Sequence, residues 1–279
     1  MALRGFLSYT LQSAAVDCEF ERYAWVFVNK PLLQTASLPR PDGATAPLRA
    51  KFGHIDTWVF DLDNTLYPSD SDLWPKIDKR ITLFLMALFG LDGLSARALQ
   101  KHYYQRHGTT LRGLIDENLA GHEEFLAFVH DIDRSTLLPN PSLAEQIAAL
   151  PGRKLIFTNG SRDHALRTAA QLGMGSVFED VFDIVASNLI PKPAAAAYAA
   201  FFDKHGVDPA RAAMFEDVAK NLAVPRALGM TTTLVIAKVD QADHREAHDR
   251  AVDDAHAIDF ATSDLAGFLA SVNARLRGG

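Results

Sequence analysis

Asp61 and Asp63 flank Leu62 at the end of an apolar run, Ile55 to Phe60, broken only by Asp56 and Thr57. Such a run predicts a buried strand. Side-chain direction alternates along a strand, so the two carboxylates point to one side and Leu62 to the other. Open α/β sheets bind ligands in the crevice at the carboxyl ends of their strands. Two acids placed there, followed by Asn64-Thr65, suit nucleophilic and acid–base chemistry. The same residues also make an Asx-rich exit from strand to loop, and D-x-D alone does not decide between the two.

The partners lie downstream, in order. Lys154 to Phe157 reads as a short strand ending in Thr158-Asn159-Gly160-Ser161, which is also a good helix start. Pro191-Lys192-Pro193 fixes a lysine in a proline-bounded loop before a predicted helix from Ala194 to His205. Ala212 to Phe215 is a third apolar run; Glu216-Asp217 closes it, and Asn221 follows one helical turn later. As a set these resemble the four motifs of the haloacid dehalogenase superfamily of phosphotransferases, over roughly residues 54–237. More narrowly, Asp61-Leu-Asp-Asn-Thr-Leu-Tyr-Pro68, the segment Gly108 to Leu114 and Phe215-Glu-Asp-x-x-x-Asn-Leu222 are similar to the pyrimidine 5′-nucleotidase branch.

The resemblance implies a Mg²⁺-dependent phosphatase acting on a small-molecule phosphate ester. Asp61 would attack phosphorus and form an aspartyl-phosphate. Asp63 would protonate the leaving oxygen and then activate water, which calls for a raised pKa from burial and the neighbouring charge. Dehalogenases of the superfamily lack this second Asp, since a halide needs no proton. Thr158 would bind a phosphoryl oxygen, helped by the backbone N–H groups of Asn159 and Gly160 at the helix start. Lys192 would balance charge. Metal ligation would fall to Asp61, the Asp63 carbonyl, Asp217 and Glu216 (directly or from behind), with Asn221 holding Asp217 or Lys192. An all-oxygen set favours Mg²⁺ over zinc. Thr110 and Arg112 are the candidates for recognising the leaving group, although Arg112 would sit equally well on a plain helix face. Phe125 and Phe128 have helical spacing that suits packing better than base stacking.

The elements that must position these residues alternate. Predicted strands 154–157, 183–186, 212–215 and 231–236 are separated by helical patterns over 163–172, 194–205 and 219–228, which implies βαβ units and a parallel sheet: an α/β, Rossmann-like core. Nearly a hundred residues lie between Asp61 and Thr158, far beyond the roughly 2–6 of a simple βα loop. Leu73, Ile77, Ile81, Phe84, Leu85 and Leu88 follow helical spacing, with Ser71 or Asp72 as cap and Gly90 near the stop. Segments 95–107 and 121–130 continue the helical pattern. An all-helical cap over residues 71–141, inserted in a core of 54–70 plus 142–279, is what the resemblance implies. Residues 1–52 precede it as an extension that is docked, flexible or read from an upstream start.

Composition agrees. A chain of 279 residues with 48% hydrophobic residues can bury a full core. A net charge of −6 without clustered Lys/Arg argues against a nucleic-acid polymer. No apolar run reaches the ~20 residues that span a bilayer, so no membrane partner is expected, and the single Cys18 permits no internal disulfide. A cytoplasmic setting fits these features. Cys18 reads as a bystander; His244 and His248 lack the H-E-x-x-H pattern, and the Asp/His-rich stretch 240–256 reads as a solvated helix or loop. Rival readings within the same fold are a sugar-phosphate phosphatase or a phosphoglucomutase-like transferase; a non-catalytic phosphate-binding module is a third.

Overall fold

The structure is a computed structural model that describes residues 45–238, 241, 243, 245, 249–252 and 255–278. Cys18, His244 and His248, with the expectations placed on residues 1–44, lie outside the described residues.

Among the described residues, six parallel strands form one sheet: β1 Thr57–Phe60, β2 Arg153–Phe157, β3 Asp180–Phe182, β4 Ala212–Glu216, β5 Thr231–Val235 and β6 Phe260–Thr262, in the order β3-β2-β1-β4-β5-β6. β1 and β4 are buried along their whole length, as expected of strands covered on both faces. Alternation divides their side chains. Trp58, Phe60 and Phe215 pack on one face with Phe268 and Leu269, while Val59, Phe157 and Met214 pack on the other with Tyr198 and Phe201. Phe60 and Phe215 stack at 4.7 Å.

The chain leaves β1 for β2 on one side of it, and β4 pairs on the other. Strand order therefore reverses at β1, and in such sheets the crevice at that switch point receives the ligand. Asp61 and Asp63 follow β1, Thr158 follows β2, and Glu216 ends β4. The sheet alone brings these segments together.

Helix α1, Thr45–Phe52, precedes β1. Phe52 is fully buried against Trp58 and Phe268, so the last residues of the expected N-terminal extension belong to the core. Between β1 and β2 come α2 Leu73–Phe89, α3 Gly93–His107, α4 Thr110–Asp116, α5 His122–Val129 and α6 Pro141–Ala148. The first four pack around their own cluster, which includes Phe84, Leu85, Tyr103, Leu114, Phe125 and Val129. Leu73 and Leu137, at the two ends of this helical insert, pack instead with the sheet's cluster. No single described helix is long and apolar enough to cross a membrane; α2 and α3 pass that test only as a pair bent by 108°.

After β2 come α7 Arg162–Gln171 and α8 Ala195–His205, then α9 Ala223–Ala227 and α10 Leu265–Arg277. Two expectations are corrected here. The strand placed at 183–186 lies at 180–182, because Asp183 turns the chain: its carboxylate accepts from the Ala186 and Arg162 backbone N–H groups. The helix expected over 219–228 divides into a 3₁₀ turn, Ala219–Leu222, followed by α9. The strand β6 and the helix α10 were not anticipated; β6 is only three residues long, too short to show a period.

Candidate active site

Backbone pairing continues past the ends of the strands and fixes the loops. Asp61 N–H donates to the Phe215 carbonyl at 2.9 Å, and Thr158 N–H to that of Phe182 at 3.0 Å. Asn64 holds φ 58°, a left-handed conformation that Asn tolerates better than most residues, and with it the chain turns so that Thr65 and Leu66 N–H groups bond back to the Leu62 carbonyl.

Lys192 is the hub. Its side chain is buried, and Nζ donates to Asp61 Oδ1 at 2.7 Å, Glu216 Oε1 at 2.8 Å and the Phe157 carbonyl at 2.9 Å. Asn159 fixes its loop: the Lys192 N–H donates to Asn159 Oδ1 and the Asn159 amide donates to the Lys192 carbonyl. The left-handed Gly108 (φ 84°) ends α3 against this loop; a Cβ there would meet Pro191 at 3.2 Å.

Thr158 is buried, and its hydroxyl accepts from the Gly160 N–H at 2.9 Å. Glu216 has both carboxylate oxygens engaged: Lys192 and Asn221 Nδ2 (2.6 Å) donate to Oε1, and the Val218 N–H to Oε2 at 2.7 Å. Asn221 therefore holds Glu216, not Asp217 or Lys192 as expected. It is buried on the 3₁₀ turn, where its amide reaches the end of β4.

The acids differ in character. Burial pushes the Asp61 carboxyl up to about 7, with Glu216 and Asp63 adding to the rise and Lys192 opposing it. Burial, with Glu216 and Asp61 beside it, also raises Asp217 well above the usual carboxylate range. Asp63 goes the other way, a correction to the raised value expected of it. Burial raises it, but His164 and Tyr67, both bonded to its Oδ1 at 3.0 and 2.6 Å, outweigh burial and leave it below the ordinary range.

Oxygens of Asp61, Glu216 and Asp217 lie within 4.8 Å of one another, all buried. Three acids so close carry more charge than Lys192 and Arg245, which is 3.5 Å from Asp217 Oδ2 and shared with Asp243, can balance, so ionising all three calls for a further cation. Oxygen donors suit a hard dication such as Mg²⁺, and Asn221 Oδ1 is buried with no hydrogen-bond partner among the described residues. The residues fit such an ion.

A cavity of about 180 Å³ opens over these groups. Asp61, Asp63, Thr158, Lys192 and Asp217 line its floor, and Trp74, Ile77, Tyr104 and Phe125 from the insert line its walls. Asn159, Gly160, Glu216 and Asn221 also reach it, as does Thr110. Phe125 is at once a wall and a member of the insert's cluster, edge-on to Phe84. Arg112 is the one expected recognition residue the structure leaves outside the lining. Its guanidinium binds Asp116 at 2.6 Å and reaches the Leu189 carbonyl at 3.5 Å, which fastens α4 to the loop after β3.

Several residues of the site escape sequence reasoning. Tyr67 sits inside the first motif, where nothing in the pattern gives it a role of its own. His130, Arg134 and His164 are scattered, and nothing in their spacing links them. Arg245 falls in the stretch read as solvated, yet it is 8% exposed and donates to the Asp217 carbonyl at 2.5 Å. Asp249 of the same stretch is also buried and accepts from the Tyr104 hydroxyl.

A family model described as haloacid dehalogenase-like hydrolase matches residues 55–229. The Saccharomyces cerevisiae protein named Phosphate metabolism protein 8 is 30% identical over 156 residues, or 52% of this chain and 45% of that protein. The match thus spans about half the length of that curated relative. A haloacid dehalogenase-like hydrolase of Streptococcus pneumoniae superposes with a TM-score of 0.51 at 15% identity, over 78% of this chain and 98% of its own. A defluorinating L-2-haloacid dehalogenase superposes at 0.50 and 18% identity, over 78% and 95% of the two chains. At such identities the two structures speak for the fold alone. The family model, which covers more than half of the sequence, speaks for kinship: the chain belongs to the haloacid dehalogenase-like hydrolases.

Proposed function

We propose that this protein is a phosphatase that hydrolyses small phosphate monoesters through an aspartyl-phosphate at Asp61. The observation that carries the reading is the second carboxylate, Asp63, on the same cavity floor as Asp61. An alkoxide leaving group needs a proton; a departing halide does not. The yeast relative's name, with its reference to phosphate metabolism, points the same way.

Asp61 Oδ2 has no hydrogen bond from the described residues, whereas Oδ1 is held by Lys192, so one oxygen is free to attack. The charge of a bound phosphoryl group beside Asp63 favours its protonated form; as the Asp61 oxygen bonds to phosphorus and the ester P–O bond breaks, Asp63 passes that proton to the departing oxygen. Asp63 then takes a proton from water as the water oxygen bonds to phosphorus and the Asp61–phosphorus bond breaks, which releases inorganic phosphate, frees the Asp61 carboxylate and returns Asp63 to its protonated form. Thr158 and the N–H groups of Asn159 and Gly160 bind phosphoryl oxygens, and Lys192 offsets their charge. Asp61, Asp217 and the Asp63 carbonyl would hold Mg²⁺ with Glu216 behind them, its oxygens already spent on Lys192, Asn221 and Val218. Bound there, Mg²⁺ would supply positive charge against the phosphoryl group and its nucleophile.

The insert acts as a cap that selects the leaving group. Its aromatic and aliphatic walls, Trp74, Ile77, Tyr104 and Phe125, suit a flat ring, and pyrimidine nucleoside 5′-monophosphates are the substrates this reading favours. The test is a panel of phosphate esters with Mg²⁺, scored by phosphate release. Pyrimidine nucleotides should lead it. A preference for hexose phosphates would overturn the nucleotidase assignment, and no release from any ester would overturn the phosphatase.

A further inference from the structure

His164 lies on the first turn of α7 with no solvent exposure, between an acid of the cavity and a buried arginine. Its Nε2 is 3.0 Å from Asp63 Oδ1, and its Nδ1 is 2.8 Å from Arg134 Nη2. A guanidinium carries donors only. Three of the other Arg134 N–H groups are spent on the Thr168 hydroxyl and on the carbonyls of Ile132 and His130. Nδ1 must therefore accept, and the ring proton resides on Nε2, from which it is donated to Asp63 Oδ1. His130 stacks on the ring at 4.4 Å with planes 10° apart, and is itself bonded to Ser161. Neither tilt nor flip of the imidazole is open without breaking these contacts.

Tyr67 donates to the same Asp63 oxygen at 2.6 Å. Oδ1 thus takes hydrogen bonds from two sides, while no described residue engages Oδ2, and the carboxylate lines the cavity. A carboxylate free to rotate would offer either oxygen to the leaving group. This one is pinned.

We propose that His164 is a positioning residue for Asp63: held as the Nε2–H tautomer by Arg134, it pins Oδ1 and leaves Oδ2 as the oxygen that exchanges the proton with the leaving group and with water. The proposal rests on the phosphatase reading above and adds to it the device that aims the acid. It places the effect of His164 in the step where a proton is needed, and not in the binding of phosphate. An ester whose leaving group departs unprotonated should then be indifferent to His164.

Two measurements test it on the whole chain. In ¹⁵N-labelled wild-type protein at neutral pH, the long-range ¹H–¹⁵N histidine spectrum should show one buried ring protonated at Nε2 alone, and the signal should vanish in His164→Leu. A ring protonated at Nδ1, or at both nitrogens, overturns the proposal without any variant having to fold. Kinetically, His164→Leu should lower kcat for an alkyl phosphate by about ten- to a hundredfold, part of what a general acid contributes, with KM unchanged. For 2,4-dinitrophenyl phosphate it should lower kcat by less than about threefold. His164→Gln, whose amide N–H reaches toward the same oxygen, should restore most of the alkyl-ester rate. Equal losses on both esters, or a loss confined to KM, overturn the positioning role. Wild type inactive on every ester overturns the phosphatase reading itself, a result distinct from either.

Discussion

Lys192→Met removes the cation at the centre of the site while keeping a side chain of similar length. An exposed ion pair is worth about 0–1 kcal/mol, but Lys192 is 2% exposed and Glu216 1%, so water cannot take its place. Breaking a buried pair by deleting one partner costs about 3–5 kcal/mol. The lower end applies, because Asp61 already has its pKa raised to about 7 by burial and escapes by taking up a proton. Glu216 also keeps its bonds from Asn221 and Val218. A loss of about 3 kcal/mol corresponds to a fall in Tm of roughly 6–12 °C. The sign with pH follows. A folded-state pKa above the unfolded value means that the folded state holds the proton longer, so stability falls as pH rises through the window between them, from about 4 to about 7. The deficit of the variant should accordingly be larger at the upper end of that window than at the lower. Millimolar Mg²⁺ should stabilise Lys192→Met more than wild type, since the ion meets the same carboxylates without the competing ammonium. Thermal denaturation across pH, with and without Mg²⁺, reads all three. A deficit below about 1 kcal/mol, or an equal Mg²⁺ response in the two proteins, refutes the reasoning.

Further outcomes concern the neighbours of that centre. Asp63→Asn should cost about 10²–10⁴ in kcat on alkyl phosphates and far less on activated aryl phosphates, as read by steady-state kinetics on both. Arg112→Ala should leave kcat and KM within about threefold, because its partner Asp116 is a half-exposed neighbour on the same helix, worth well under 1 kcal/mol; a large rise in KM would return Arg112 to the cavity. His130 has its pKa lowered to about 3, chiefly by burial. The unfolded chain therefore binds more protons as pH falls from about 6.5 toward 3, and stability is lost over that window. Urea unfolding of wild type and His130→Asn at pH values in and above the window should show a shallower loss in the variant.

The residues legible in the sequence are those whose roles follow from their place at a strand end. Asp61, Asp63, Thr158, Glu216 and Asp217 stand where apolar runs stop, so one parallel sheet gathers them, and the run lengths alone predict the sheet. Lys192 was legible through its flanking prolines. Its depth was not, since burial of a lysine depends on two acids from other strands. Asn221 shows the limit of spacing: one helical turn from Asp217 put it near the right partners, but the 3₁₀ turn aims its amide at Glu216. The His164–Arg134 pair joins α7 to the segment before α6, and no periodicity records such a meeting. The sign of the Asp63 shift escapes the sequence for the same reason, because His164, which lowers it more than the nearby Tyr67 does, comes from elsewhere in the fold. Arg245 was hidden by composition, as an Asp/His-rich stretch reads as solvated until one of its cations is seen to turn inward.

The central claim is that Asp61 becomes phosphorylated, and acid quench of the enzyme with ³²P-labelled ester and Mg²⁺ addresses it directly. The label should appear on the peptide containing Asp61 in wild type, persist longer in Asp63→Asn, and be absent in Asp61→Asn, which should also release no phosphate. Phosphate release at the wild-type rate by folded Asp61→Asn would contradict the account.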